Sequence, residues 1–280
     1  MDPALSTKAL LRRFDLQPKK SLGQSFLIDP RALEKVVQAG DITAGDTVLE
    51  VGAGLGGLTR LLAAHAGQVI AVELDRRLIG ILEEVLAPFS NVRIVHGDIL
   101  ELDLSRLLIE AEVTGDYLVV ANIPYYITGS LIRRLLEAER PPRRLALTVQ
   151  REVADRICSR PPDMNLLGLS VQIYGRPAQA GLIPAEAFYP APNVDSAIVV
   201  VKRHPEPILE SEQLARFFKL IKAGFGQKRK MLANALSAGL QVSKVEISAD
   251  LERAGIDPRR RAETLELEEW VHLIYLLKSL

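Results

Sequence analysis

The stretch Val48-Leu49-Glu50-Val51-Gly52-Ala53-Gly54-Leu55-Gly56-Gly57-Leu58-Thr59 limits the fold of this chain more than any other feature. A short apolar run enters a glycine-rich loop and leaves it as a helical pattern. Glycines there let the backbone turn tightly and approach a ligand closely. From residue 47 onward, runs of the two kinds alternate. Residues 47–51, 68–73, 91–96 and 117–121 read as strands, separated by helices from about Leu58, from Asp75 and near 105–110. That alternation predicts an α/β fold built on a parallel, doubly wound, Rossmann-like sheet. A helix near 129–138 and strand-like runs at 144–150, 169–174, 179–183 and 197–203 follow, so the sheet is expected to gain antiparallel strands late.

Glu206-Pro207 separates the last of these runs from a tail that reads as helical throughout, with helices over 211–223, 228–237, 243–254, 258–264 and 266–278. At 280 residues the chain is long for one core, so two domains are expected: 1–205 and an all-helical 206–280. Lys plus Arg and Asp plus Glu both number 35, so there is no global pull toward a polyanion, and any such site must come from local clusters. Those clusters are Lys8, Arg12, Arg13, Lys19 and Lys20; Arg133, Arg134, Arg140, Arg143 and Arg144; Lys228-Arg229-Lys230; and Arg259-Arg260-Arg261. The single cysteine, Cys158, excludes an internal disulfide and suits a reducing compartment. His65, His96, His204 and His272 are scattered without the spacing of a zinc site, and no metal is expected. No apolar run is long enough to cross a bilayer, and Asp2 and Asp15 argue against a targeting leader, so a cytoplasmic protein with no membrane contact is expected.

Open α/β sheets bind ligands beyond the carboxyl ends of their strands, and here four successive strands end in a usable group. Gly52, Gly54 and Gly57 match the spacing of a dinucleotide loop, while Gly52, Gly54 and Gly56 match the looser loop of methyl-donor enzymes; the motif alone does not choose. Glu73 ends the second strand about 20 residues later, where a carboxylate can accept from both ribose hydroxyls. Asp98, after the third, suits the exocyclic amine of an adenine ring because a carboxylate only accepts, although an Asp there can equally cap a turn. The fourth delivers Asn122-Ile123-Pro124-Tyr125. An Asn oxygen and a carbonyl beside a proline can together accept the two hydrogens of a planar exocyclic amine, and a Tyr ring offers a face for a base.

At this point the chain resembles the S-adenosylmethionine-dependent ribosomal RNA adenine dimethyltransferase family, in its bacterial form acting on small-subunit (16S) RNA. The matching residues are Lys20-Ser21-Leu22-Gly23-Gln24-Ser25-Phe26-Leu27, the Gly52 loop, Glu73, Asp98, Asn122 to Tyr126, Phe188-Tyr189-Pro190-Ala191-Pro192-Asn193-Val194-Asp195-Ser196, Phe225-Gly226-Gln227-Lys228-Arg229-Lys230 and Arg261-Ala262-Glu263-Thr264-Leu265. The resemblance implies a class I methyltransferase sheet in which Ser25, Leu27, Gly52, Gly54, Glu73, Asp98 and Asn122 contact the methyl donor. Ser25 departs from the family, which most often has Asn there. The resemblance further implies that Asn122, with a carbonyl at Ile123 or Pro124, holds the adenine amine while Tyr125 and Phe188 stack on the two faces of the base. Positioning and electrostatics then dominate, without a strong general base.

A base held in such a pocket cannot be reached inside a duplex, so a loop, a single strand or a flipped nucleotide is expected. Phosphate contacts are assigned to Lys19, Lys20, Arg143, Arg144, Lys228, Arg229 and Lys230. The expected substrate is small-subunit RNA within a partly assembled 30S subunit, dimethylated at two adjacent adenines by a monomer. Three other readings remain: a large-subunit RNA methyltransferase of the macrolide-resistance type, a nicotinamide-dependent oxidoreductase, and a non-catalytic RNA-binding assembly factor.

Overall fold

The computed structural model describes residues 7–277, so Asp2 and the expected helix end at Lys278 lie outside the described residues. The chain divides into two compact units, one comprising the residues up to Ala154 with Ala178–Arg203, the other Asp155–Pro177 with the residues from His204.

The first unit opens with α1 (Thr7–Arg13), β1 (Phe26–Leu27) and α2 (Pro30–Gly40), then alternates β2 (Thr47–Val51), α3 (Gly57–His65), β3 (Gln68–Glu73), α4 (Arg76–Leu86), β4 (Val92–His96), α5 (Leu104–Glu110), β5 (Tyr117–Asn122), α6 (Thr128–Leu136) and β6 (Arg144–Gln150). α7 (Arg151–Ile157) and α8 (Leu166–Gln172) precede β7 (Gly175–Ile183), β8 (Phe188–Tyr189) and β9 (Ser196–Arg203). The seven-stranded sheet runs in the order β4-β3-β2-β5-β6-β9-β7. Strands β2 to β6 are mutually parallel and β9 pairs antiparallel to β6, as the sequence pattern predicts. Nearly every side chain of β2, β3 and β5 is buried, because helices cover both faces of a parallel sheet and its strands therefore read as apolar runs. Chain order reverses between β2 and β5, which opens a crevice where Gly52 and Asn122 leave adjacent strands.

Polar caps fix where the surrounding helices start. Asp29 accepts from Ala32 N ahead of Pro30 at the first turn of α2, and Asp75 and Asp103 cap α4 and α5 in the same way. α3 has no side-chain cap, since Gly56, at φ +77°, leads into it directly from the glycine loop.

The second unit holds α9 (Ser211–Phe225), α10 (Leu232–Leu240), α11 (Lys244–Arg253) and α12 (Leu267–Leu276) around Phe217, Leu220, Leu236 and Trp270. Glu210 with Gln213, and Glu266 with Glu269, form reciprocal capping boxes at α9 and α12. Residues 155–177, expected within the first domain, belong to this unit, so the chain enters it once before the passage at Arg203–His204.

Three expectations are corrected. The run 169–174 is not a strand: it lies largely in α8, whose cap Asn165 accepts from Gly168 N, and so short an apolar run fits either structure. The helix expected from Lys228 starts at Leu232, and the preceding residues form a turn. The helix expected over 258–264 is reduced to a single 3-10 turn, Ala262–Thr264.

Candidate active site

A cleft of about 840 Å³, its open mouth included, lies at the carboxyl end of the parallel strands. Ser25, Gly52, Gly54, Glu73, Asp98, Asn122, Ile123, Pro124, Tyr125 and Phe188 all line it. Gly52 and Gly54 have φ of +76° and +60°, a region L side chains seldom enter, and a Cβ on Gly54 would sit 3.1 Å from the Phe26 ring. The loop is thus a bare-backbone cradle.

Glu73 ends β3 and is only 6% exposed. Its Oε2 accepts from Gly54 N at 2.8 Å and its Oε1 from Asp75 N at 2.7 Å. The carboxylate therefore shapes the glycine loop. Burial pushes its pKa up, opposed by the backbone amides of Asp75, Gly54 and Leu74. Asp98 takes on the capping duty the sequence allowed, accepting from Leu100 N through Oδ1, and is half-buried on the cleft wall.

At the end of β5, Asn122 Nδ2 donates to Ser25 O at 3.2 Å, which leaves Oδ1 as the acceptor. The two candidate carbonyls differ. Pro124 O accepts from Ile127 N, closing the 3-10 turn Tyr125–Ile127, whereas Ile123 takes part in no such turn bond among the described residues. Tyr125 Oη pairs with Ser196 Oγ at 2.6 Å, which locks the ring, and burial raises the pKa of its phenol. Phe188 is 3% exposed, belongs to the buried core and lines the cleft.

The segment carrying Ser25 is tied to the loop carrying Phe188. β1 and β8 form a two-stranded antiparallel sheet with Phe26 opposite Tyr189 and Leu27 opposite Phe188, and Ser25 Oγ donates to Pro190 O at 2.8 Å. Leu27 is buried outside the main cleft, in a smaller cavity that shares Gly52, Gly54 and Asn122 with it. On the other side, Gln24 Nε2 and Lys19 Nζ reach the buried Asp75, whose carboxyl is held well below the usual range by the Arg77 guanidinium. The sequence named none of Asp75, Gln24 or Ser196 as anchors, because their partners lie 51 and 71 residues away.

The glycine loop borders a further buried carboxylate. Glu50, 1% exposed, has an Oε2 without a hydrogen-bond partner, and burial pushes its pKa up to about 8. Cys158 is half-buried with its thiol pushed up to about 11, the opposite of an activated nucleophile.

The basic residues divide sharply. Lys20 is exposed beside the cleft segment. Arg143 and Arg144 do not join the site: they stand at the amino end of the sheet, paired with Asp46 and Asp41 at 2.8 Å each. Arg144 lies four residues, roughly 13 Å, along β6 from Thr148, the residue in register with Asn122. In the second unit Lys228, Arg229 and Lys230 occupy an exposed turn with no ion pair among the described residues. Arg259, Arg260 and Arg261 are neutralised by Asp257, Glu269 and Glu263.

Comparison with known proteins agrees with this geometry. The family model described as ribosomal RNA adenine dimethylase matches residues 16–279. "Ribosomal RNA small subunit methyltransferase A" of Dehalococcoides mccartyi is 48% identical over 266 residues, covering 94% of this chain and 89% of the relative. Among solved structures, the 23S rRNA methyltransferase ErmE superposes with a TM-score of 0.73 at 26% identity, over 90% of this chain and 99% of that one. A dimethyladenosine transferase from Plasmodium falciparum shares the fold with a TM-score of 0.77 at 24% identity, over 89% and 95% of the two chains. The strand-end acceptors and the near end-to-end match converge: the chain belongs to the ribosomal RNA adenine dimethylase family.

Proposed function

We propose that this protein transfers methyl groups from S-adenosylmethionine to the exocyclic amine of adenines in small-subunit ribosomal RNA. The observation that carries the reading is the state of Asn122, whose amide nitrogen is committed to Ser25 O, which leaves its oxygen as an acceptor at a strand end where Asn122 and Ile123 both line the cleft. Two acceptors at one strand end match the two hydrogens of an aromatic amine. The donor fits the remaining walls: the bare Gly52–Gly54 backbone, the Glu73 carboxylate for the ribose hydroxyls and Asp98 for the adenine edge. Bound there, it supplies a methyl group activated by an adjacent sulfonium charge.

The chain's own residues do the rest by positioning. Asn122 Oδ1 and the Ile123 carbonyl draw on the two N–H bonds of the target amine, which localises the nitrogen lone pair and aims it into the cleft. Tyr125, fixed through Ser196, holds one face of the base, and Phe188 bounds the other. The methylated nitrogen gives up one of its two protons to solvent at the open cleft mouth, so a single N–H remains and the second methylation needs the base to rebind with one of the two acceptors idle.

Small-subunit RNA is favoured over large-subunit RNA because the relative named for the former is 48% identical and the structure named for the latter 26%. A nicotinamide enzyme gives no role to Asn122, and a non-catalytic assembly factor has no need of a complete set of strand-end acceptors. The exposed Lys228–Lys230 turn, on the unit without the cleft, suits a large folded RNA, and we take the substrate to be a partly assembled small subunit bound by a monomer in the cytoplasm. Labelled donor offered with naked small-subunit RNA, partly assembled small subunits and large-subunit RNA tests this. Dimethyladenosine in the assembled particle alone is the expected result, and label confined to large-subunit RNA would reverse it.

A further inference from the structure

Two consecutive tyrosines leave the end of β5 in opposite environments. Tyr125 is half-buried and pinned by Ser196, while Tyr126 lines the cleft yet is 61% exposed, and no described group hydrogen-bonds its hydroxyl. A single exposed aromatic is ordinary on a protein surface, and what sets Tyr126 apart is its place on the lining of the cleft. The ring is not loose. It rests against the backbone of Gly23, where an added Cβ would lie 3.2 Å from Cδ1 and 3.4 Å from Cε1. Gly23 itself stands at φ +59°, closing the 3-10 turn Lys20–Leu22 with its N–H on Lys20 O. The Cδ1–Cε1 edge of the ring is thus backed by main chain at a position with no room for a side chain, while most of the residue remains open to solvent.

The charge beside it has the sign a polynucleotide requires. Lys20, on the turn that supports the ring, is exposed and forms no ion pair among the described residues, whereas neighbouring Lys19 is committed to Asp75. A fixed aromatic face next to a free cation is the arrangement with which proteins hold single-stranded nucleic acid, the ring taking a base of any identity and the cation a phosphate. A strand that sends one base into the cleft must lay the adjoining nucleotides across its mouth.

We propose that Tyr126 is a stacking platform for the base next to the adenine held in the cleft, with Lys20 on the intervening phosphate. The inference rests on the methyl-transfer reading above and extends it to a second nucleotide subsite. Stacking there contributes to capture of the RNA and not to the chemical step.

Single-turnover methylation of unmethylated small ribosomal subunits, across a range of particle concentrations with saturating S-adenosylmethionine, separates the two. Tyr126→Ala is expected to raise the half-saturating particle concentration roughly 10-fold while the limiting rate stays within about twofold of the parent. Tyr126→Phe and Tyr126→Trp should restore capture. Tyr126→Leu, which keeps apolar bulk without a π face, should not. Lys20→Ala should reduce the salt slope of particle binding by about one unit. Calorimetry of S-adenosylmethionine on every variant should match the parent, which checks that the cleft is intact. Half-saturation for Tyr126→Ala equal to the parent's, or equal rescue by Leu and Phe, would overturn the platform while leaving the methyl-transfer reading standing. Absence of transfer by the parent would take down both.

Discussion

The two ends of the same parallel sheet carry similar residue types and do opposite things with them. At the amino end, Asp41, Asp46, Arg143 and Arg144 pair with one another and hold strands β2 and β6 to the loop after α2. At the carboxyl end, Glu73, Asp98 and Asn122 are each only partly satisfied by the protein: backbone amides for Glu73, one turn amide for Asp98, one carbonyl for Asn122. A charged group that the fold has paired with an opposite charge is structure. One that the fold has oriented but left with spare capacity is a site. The same rule separates the Arg259–Arg261 cluster, neutralised within its own unit, from the unpaired Lys228–Lys230 turn.

The largest expected effect lies at the carboxyl end. Under the proposed mechanism Asn122→Ala removes one of two acceptors acting on the amine in the transition state, so the single-turnover rate should fall on the order of 100-fold or more. Donor affinity by calorimetry should hardly change. A near-parental rate would erase the contrast between the two ends.

Glu50 sharpens the contrast from inside. Its folded pKa of about 8 exceeds the ordinary 4.5, so the stability associated with its protonated form is complete below pH 4.5 and is lost as pH rises toward 8. Glu50→Gln cannot ionise. Its melting temperature should equal the parent's near pH 5 and exceed it at pH 9 by several degrees, for a difference of a few kcal/mol. Thermal scans at the two pH values that gave parallel curves would show that Glu50 is not a strained buried acid.

Replacing Lys228, Arg229 and Lys230 together by Ala should weaken binding of small-subunit particles about 10-fold at moderate salt and flatten the salt dependence by roughly one unit for each phosphate that is no longer neutralised. Fluorescence titration at several salt concentrations measures both. The smallest effect belongs to the amino end: Arg143→Ala or Arg144→Ala should cost at most about 1 kcal/mol of stability, as exposed ion pairs do, and leave the RNA salt slope untouched. A reduced slope for either variant would restore these arginines to the RNA surface.

Much of the site was legible in the sequence because it depends on local order. Each strand of a parallel sheet announces itself as an apolar run, and its ligand group is the next polar residue, so Gly52, Glu73, Asp98 and Asn122 could be read along the chain. What could not be read depends on distant pairing. Ser25 and Asn122 are 97 residues apart, Gln24 and Asp75 are 51 apart, and the β1–β8 sheet that joins the donor segment to the Phe188 loop consists of two residues per strand. Arg143 and Arg144 stand at the start of a strand that was itself read at 144–150, but their pairing with Asp46 and Asp41, 97 and 103 residues away, was not legible. The 169–174 run failed because six apolar-rich residues carry no period long enough to separate helix from strand.

The methyl donor is expected to bind at the carboxyl end of the sheet and not at the amino end. Calorimetric titration of S-adenosylmethionine into the parent, Glu73→Ala, the near-isosteric Glu73→Gln and Arg143→Ala tests it directly. Both Glu73 variants should lose at least 10-fold in affinity, since two ribose hydroxyls are left without a carboxylate in a closed wall, while Arg143→Ala titrates like the parent. Parental affinity in both Glu73 variants would contradict the account.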